Sequence, residues 1–201
     1  MLKKNNSDTR EEKIVFDKKE IVAVVLKLTS IVAAVVLMLA VVNMFTKDKI
    51  LQNDHLKTAS ALNRLFPGKE YEQIEISDVE SEENINAIYV MKESGKNVGC
   101  CVEVLTSGFS SEKIHLMVGV AAAEYSVVGI EIISSSETPG IGAAVLAKNG
   151  EYLRKFENTS KLSIPDIDTI SGATITSKAV KSAVLQAVNA SAAVLGGAGN
   201  G

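Results

Sequence analysis

Hydroxyl groups and small residues gather between Asp168 and Thr176, just ahead of a stretch whose apolar residues recur at helical spacing. The start of a helix leaves several backbone N–H groups unpaired and carries a partial positive charge. Gly172 lets the backbone approach a ligand closely, and hydroxyl donors come from Ser171, Thr174, Thr176 and Ser177. These residue types at this position favour an anion, most simply a phosphate. The alternative is that Thr174 or Thr176 only caps the helix, and local physics leaves both interpretations open.

A second candidate segment follows the last predicted strand and reads, in order, Glu137, Thr138, Pro139, Gly140, Ile141 and Gly142. Its proline fixes one backbone angle, and its two glycines permit conformations closed to other residues. Such a loop can lie flat against a ring system, with Glu137 and Thr138 bonding the polar edges of the ring and Ile141 packing on its face. The alternative is a tight turn that joins the strand to a short helix.

Both segments, in this order and behind one apolar span, resemble the signatures of a family of FMN-binding domains. The stretch Asp168–Thr176 is similar to the recognition sequence of flavin transferases, which join FMN through its phosphate to the final hydroxyl. The family includes the G subunit of the Rnf complex, an ion-translocating ferredoxin:NAD oxidoreductase. It also includes, more distantly, the C subunit of the sodium-pumping NADH:quinone oxidoreductase. The resemblance covers most of the chain from the apolar span onward.

The resemblance implies a covalent flavoprotein in which Thr176 is the attachment residue for FMN. The FMN-binding residues that it implies are Thr176, Ser171, Gly172, Ala173, Thr174, Glu137, Thr138, Gly140, Ile141 and Gly142. Asp168 belongs to the sequence that the transferase reads and need not touch the flavin. The segment Thr106–Lys113 lacks the Gly-Gly-Pro-like turn of relatives, so no contact is assigned to it.

The chain has one predicted transmembrane helix, residues 21–46, in which the run Leu28–Phe45 carries no charge. Its length is close to the ~20 residues needed to cross a bilayer, and Lys27 can reach the headgroups. A buried helix of a soluble protein is the alternative. More basic residues precede the span than follow it. This asymmetry predicts a cytoplasmic N-terminal segment, residues 1–20, and a domain on the extracytoplasmic face of the cell (inner) membrane.

Beyond the span, the sequence predicts an α+β fold, a mainly antiparallel sheet with helices at its start and end. A juxtamembrane helix is predicted over residues 47–68, an FMN-binding domain over 69–195 and a flexible tail over 196–201. Runs rich in β-branched residues predict the strands Glu72–Val79, Ile85–Met91, Val98–Leu105, Ile114–Val120 and Tyr125–Ile133. A short helical turn is predicted at Ala143–Lys148, and a helix with an apolar stripe at Ser177–Leu195.

Composition excludes several classes of site. Two adjacent cysteines, Cys100 and Cys101, and two widely separated histidines are too few for an iron–sulfur cluster or a structural zinc site. The formal net charge of −3 gives no sign of nucleic-acid binding. The cysteines are most simply packed on opposite faces of a strand, with a strained vicinal disulfide as the alternative. Lys178 and Lys181 could steer an acidic partner or help to bind the flavin phosphate, or could simply be solvated.

The predicted function is electron transfer, through FMN on Thr176, by a membrane-anchored subunit of an Rnf-type complex that couples redox chemistry to ion translocation. The implied partners are the other integral-membrane and iron–sulfur subunits, and a flavin transferase for maturation. The chain would thus belong to an oxidoreductase, although no catalytic acid, base or nucleophile of its own is predicted. Three alternatives stay open: a flavodomain of another extracellular electron-transfer chain, a non-redox sensor or phosphate-binding module, and a membrane-anchored assembly protein with a vestigial motif.

Overall fold

The computed structural model describes residues 18–74, 84–147 and 150–197. Outside those residues lie most of the predicted N-terminal segment, the end of the first predicted strand at Val79, Lys148, and the end of the predicted tail. The elements are, in chain order, α1 (Lys18–Leu65), β1 (Glu70–Ile74), β2 (Ile85–Glu93), β3 (Lys96–Ser107), β4 (Lys113–Ala121), β5 (Val127–Ser134), α2 (Gly142–Val145), α3 (Glu151–Arg154), a 3₁₀ turn (Ile164–Asp166) and α4 (Thr174–Gly197).

Helix α1 contributes to both compact units of the chain, Met1–Leu51 and Gln52–Gly201. In the first unit, Lys18–Lys47 is a 30-residue stretch that is long and apolar enough to cross a membrane and has exposed side chains. It contains the predicted span. The sequence predicts the juxtamembrane helix over residues 47–68, and in the structure α1 extends over these residues as far as Leu65. No proline or glycine occurs between Lys18 and Leu65 to interrupt it.

The second unit is built on a five-stranded sheet in the order β1-β2-β3-β4-β5, in which every neighbouring pair is antiparallel. With helices before and after the sheet, this confirms the predicted α+β fold. Side chains alternate between the two faces of each strand. On β3, Val102 and Val104 therefore join one core, while Cys101 joins the other and Glu103 lies on the same face as Cys101.

Helix α4 covers one face of the sheet, mainly over β3, and α2 and α3 share the same core. Its apolar stripe is buried there: Val180, Ala183, Val184, Ala187 and Val188. These are the positions that the helical spacing predicts. Although α4 is also long and apolar enough to cross a membrane, nearly half of it is buried inside the domain, as expected of a core helix.

The end of α1 covers the opposite face of the sheet. Its buried residues, with the residue that follows the helix, are Ala61, Leu62, Leu65 and Phe66. They share a core with side chains of β2, β3, β4 and β5. Gly99 on β3 leaves room for the Phe66 ring, because a Cβ at this position would lie 2.5 Å from Cζ of Phe66. The compact unit therefore includes residues before 69, the position at which the sequence places the start of the domain.

Polar contacts also join the end of α1 to the sheet. The Thr58 hydroxyl donates to Oε1 of Glu103 on β3 at 3.1 Å. Arg64 Nε lies 2.9 Å from Oε2 of Glu131 on β5. These contacts fix the position of the helix end along the strands, in addition to the apolar packing that holds it against the sheet.

Candidate functional site

A tight turn at Gly172 immediately precedes α4, which begins at Thr174. Gly172 has a φ of +82°, in the left-handed region that glycine adopts without strain. The N–H of Ala173 donates to the carbonyl of Ile170 at 3.0 Å, and the N–H of Ser177 donates to the carbonyl of Ala173 at 2.9 Å. The N–H groups of residues 174–176 come before this first helical bond. They are the donors that a helix start offers to an anion.

The Ser177 hydroxyl holds this turn together. It donates to the carbonyl of Ala173 at 2.9 Å and accepts from the N–H of Ile170 at 3.1 Å, and the residue is fully buried. The helix thus begins at Thr174, three residues before the predicted start at Ser177. The apolar stripe, from which the start was predicted, begins only after this turn. Thr174 and Thr176 consequently lie inside the first turn rather than ahead of it.

Thr176 makes a buried hydrogen bond across the site. Its Oγ1 donates to Oε2 of Glu137 at 2.7 Å, with only 1% of Thr176 and 6% of Glu137 exposed. The other carboxylate oxygen of Glu137, Oε1, accepts from the N–H of Ser110 at 3.0 Å. A Cβ at Gly108 or at Gly142 would overlap the Glu137 carboxylate, so glycine is required at both positions as the side chain now lies. The carboxylate is therefore held in one position by three segments of the chain.

A cavity of about 310 Å³ opens where the two predicted segments meet. Its wall consists of Phe109, Thr138, Ile141, Gly142, Gly172, Ala173, Thr174, Ile175 and Thr176. This volume is at the lower end of the range of roughly 300–1,000 Å³ that is typical of small-molecule sites. The two segments are thus neighbours in space and form the sides of one cleft.

The structure places most, but not all, of the predicted binding residues in this wall. Ser171 and Gly140 are exposed and lie outside it, as does Asp168. Glu137 is also outside the wall and reaches it through the hydroxyl of Thr176. Lys181 is directed elsewhere, since its Nζ donates to the carbonyls of Pro165 and Ile167 at 2.7 Å each. Its amine thus ties the 3₁₀ segment to α4.

Two apolar side chains of the wall, Phe109 and Ile175, are not among the predicted residues. Phe109 is 69% exposed, and Ile175 and Ile141 are also exposed large apolar residues. Together they give the cavity an exposed apolar rim, and the rest of its wall is made of glycine, alanine and threonine residues. The signal for Phe109 is present in the sequence, because it is a lone aromatic residue in a polar loop. No contact is predicted for that loop because it departs from the family pattern.

The donor set fits FMN. The unpaired N–H groups at the start of α4 suit the phosphate, and the apolar rim suits the faces of a flavin ring. Among residues 18–74, 84–147 and 150–197, no group of three or more His, Cys, Asp or Glu side chains is arranged to hold a metal ion. Cys100 and Cys101 are free and buried on β3.

Comparison with known proteins agrees with this geometry. Residues 108–189, which contain Phe109, both segments and the start of α4, match the FMN-binding domain family. The chain is 30% identical to the G subunit of the Na(+)-translocating ferredoxin:NAD(+) oxidoreductase complex of Acetobacterium woodii, over 87% of this chain and 93% of that protein. It is 30% identical to the G subunit of the ion-translocating oxidoreductase complex of Methanosarcina acetivorans, over 86% and 95%. With the corresponding protein of Aliivibrio fischeri MJ11 it shares 26% identity, over 71% and 77%. The chain therefore belongs to the family of G subunits of Rnf-type ion-translocating oxidoreductase complexes.

Proposed function

We propose that this chain carries FMN joined through its phosphate to Oγ1 of Thr176, and that it passes electrons as a membrane-anchored subunit of an ion-translocating oxidoreductase complex. The observation that carries the proposal is the position of Thr176, in the first turn of a 24-residue helix and in the wall of the cavity. Membership of the G-subunit family and the FMN-binding domain match support the same assignment.

The start of α4 supports a phosphodiester at this hydroxyl. A phosphodiester keeps one negative charge, and the N–H groups of residues 174–176 precede the first helical bond, which Ser177 donates. A negative charge at this end of a helix is favourable, by about 0.3–1 kcal/mol at an exposed site and by more when it is partly buried. Because residue 172 is glycine, no side chain there blocks the approach of a phosphate to these N–H groups.

The rim of the cavity supports a ring rather than a free phosphate. Phe109, Ile141 and Ile175 border one opening and are exposed in the protein alone. A flavin ring that packs on them would remove apolar surface from water, which is worth about 25 cal/mol per Å². Bound FMN supplies the electron chemistry, and these residues hold it and exclude water from its faces.

The N-terminal stretch Lys18–Lys47 supports anchoring in the membrane beside the other integral-membrane and iron–sulfur subunits. The basic residues that precede the span favour a cytoplasmic N-terminus and an outward-facing domain. There, a covalent link retains a cofactor that could not readily be replaced. Residues 21–46 contain no Asp or Glu, so we assign the coupled movement of ions to other subunits.

The test is to co-express the full chain with a flavin transferase and to measure flavin fluorescence in a denaturing gel together with intact mass. The unmodified sequence should gain the mass of FMN less one water and should fluoresce after denaturation. Thr176→Val should lose both signals. Thr169→Val should keep them, because Thr169 lies in the same segment but outside the cavity wall.

Absence of an adduct in the unmodified sequence, with a transferase that labels another acceptor, would contradict covalent attachment. An adduct that persists in Thr176→Val would place the link elsewhere.

A further inference from the structure

The hydroxyl that would accept FMN already has a partner for its proton. Thr176 Oγ1 donates to Oε2 of Glu137 at 2.7 Å inside the protein. We propose that Glu137 is a catalytic residue for the modification of its own chain, accepting the Thr176 proton as the phosphoester forms and then retaining it. This inference rests on the proposed attachment of FMN to Thr176.

The position of Glu137 is that of a general base. A base must lie within about 2.6–3.2 Å of the atom whose proton it takes, and this distance falls in that range. The carboxylate cannot turn freely, because the Ser110 N–H holds Oε1 at 3.0 Å and the backbone at Gly108 and Gly142 closes on it from two sides. Its Oε2 is therefore already in place beside the Thr176 hydroxyl before the molecule that supplies the FMN phosphate binds.

The step balances with a flavin dinucleotide as the donor, in which the FMN phosphate is joined to a nucleotide phosphate by an anhydride. Thr176 Oγ1 forms a bond to the phosphorus of the FMN phosphate, and the anhydride P–O bond breaks. The leaving group is the nucleoside monophosphate, which takes the electron pair of that bond. The proton from Oγ1 moves to Oε2 of Glu137, and no oxidant or reductant is needed.

Retention of the proton follows from charge. After the step, Oγ1 is an ester oxygen that can no longer donate, and a phosphodiester anion lies beside a buried carboxyl group. Two adjacent anions in a buried site repel each other, so the neutral acid is favoured. As an acid, Glu137 can donate to the ester while Oε1 keeps its bond from the Ser110 N–H.

Glu137→Gln tests the inference because an amide keeps the shape of the side chain but cannot take the proton. Its oxygen can still accept from Ser110 and its NH₂ group can donate to Thr176. In the full chain in detergent, with a transferase and the flavin dinucleotide, we expect kcat for labelling to fall by about 100-fold or more. KM for the chain should stay within about threefold, since the surface offered to the transferase is the same. The control is Glu112→Gln, which removes a carboxylate that binds the Ser136 hydroxyl beside the same loop and should label normally.

A Glu137→Gln chain that labels at the normal rate would overturn the inference and leave the proposed function standing. If the unmodified sequence itself takes no label from an active transferase, both fall together. Should Glu137→Gln fail to fold, infrared spectroscopy of the unmodified sequence still decides. Labelling should add one carboxylic-acid C=O band that shifts when glutamate carries ¹³C, and a labelled chain without that band contradicts the retained proton.

Discussion

Thr176 is the proposed acceptor of a large group, and yet its side chain is almost fully buried. The cavity reconciles these properties, because Thr176 contributes to its wall and can be approached from that side. At Gly172, nothing lies within 4 Å of the position that a Cβ would occupy, and the backbone is in the left-handed region. A side chain here would be strained, at a residue that belongs to the cavity wall.

At the same scale, Cys100 and Cys101 should be inert in the folded protein. Burial raises the pKa of Cys100 to about 12. Burial, together with the neighbouring Cys100, raises the pKa of Cys101 well above its ordinary value. Because the thiolate is the reactive form, we expect no alkylation by iodoacetamide at pH 8 over an hour, and alkylation of both thiols once guanidinium unfolds the chain. Intact mass before and after unfolding is the measurement, and rapid labelling of the folded chain would contradict it.

Individual contacts within the site are harder to predict from the sequence than the residues that make them. The hydroxyls and glycines of both segments could be recognised from their types and order. The bond between Thr176 and Glu137 joins residues 39 positions apart, and neither segment alone indicates that the two side chains meet. Ser177 is a predicted hydroxyl donor for a ligand, but its hydroxyl instead closes the turn at the start of α4.

At the scale of elements, a polar cluster around the buried Glu103 joins α1 to the sheet. Glu103 accepts from Thr58 on α1 at 3.1 Å and from Asn86 on β2 at 2.9 Å, and His115 Nε2 on β4 lies 3.0 Å from its Oε1. Burial alone would raise the pKa of Glu103, but the His115 imidazole beside its Oε1 and the hydrogen bonds from Asn86 and Thr58 together lower it. The folded state therefore favours the carboxylate.

Glu103→Gln should lower the free energy of unfolding by about 1–3 kcal/mol at pH 7, because the partners of Glu103 lose a buried, charged acceptor. A lowered pKa contributes stability that is fully present above the ordinary value of 4.5, and this stability is lost as the pH falls from there through the lower folded-state value. Thermal melts at pH 7 and pH 3.5 should therefore show the two proteins converging at the lower pH. Glu93→Gln, at an exposed glutamate that pairs with Lys69 on the surface, is the control and should change stability by less than about 0.5 kcal/mol. A constant difference between Glu103→Gln and the unmodified sequence at both pH values would contradict the assignment.

The elements themselves were largely predictable. Alternation and β-branched residues located β2 to β5 within a few residues, since these strands bury side chains on a regular period. Element ends were harder, because they depend on contacts that have no period. The Ser177 hydroxyl extends α4 by one turn, and the absence of proline or glycine makes α1 continuous to Leu65. The short helix α3 contains too few residues to show a period.

For the whole molecule, the end of α1 decides where the domain begins. Leu62, Leu65 and Phe66 are buried against the sheet. Burial of three such side chains is worth about 5–9 kcal/mol, comparable to the net stability of roughly 5–15 kcal/mol of a domain. We therefore expect a fragment of residues 52–201 to be monomeric with a cooperative melt, and a fragment of residues 69–201 to aggregate or melt without cooperativity. Circular dichroism and sedimentation velocity on both fragments are the measurements, and equal melting temperatures would contradict this boundary.

The meander order of the sheet also favours one sequence of events in folding. Each strand closes only a short loop to reach its neighbour, which costs little chain entropy, whereas Thr106 on β3 and Ala179 on α4 meet across 73 residues. The strands can pair one after another in chain order, and docking of α4 completes the domain. Thr176 arrives on that last helix and meets Glu137 only then. If FMN is attached as proposed, a truncated or misfolded chain has no paired hydroxyl to offer, and the flavin content of a preparation then measures the fraction of its molecules that completed folding.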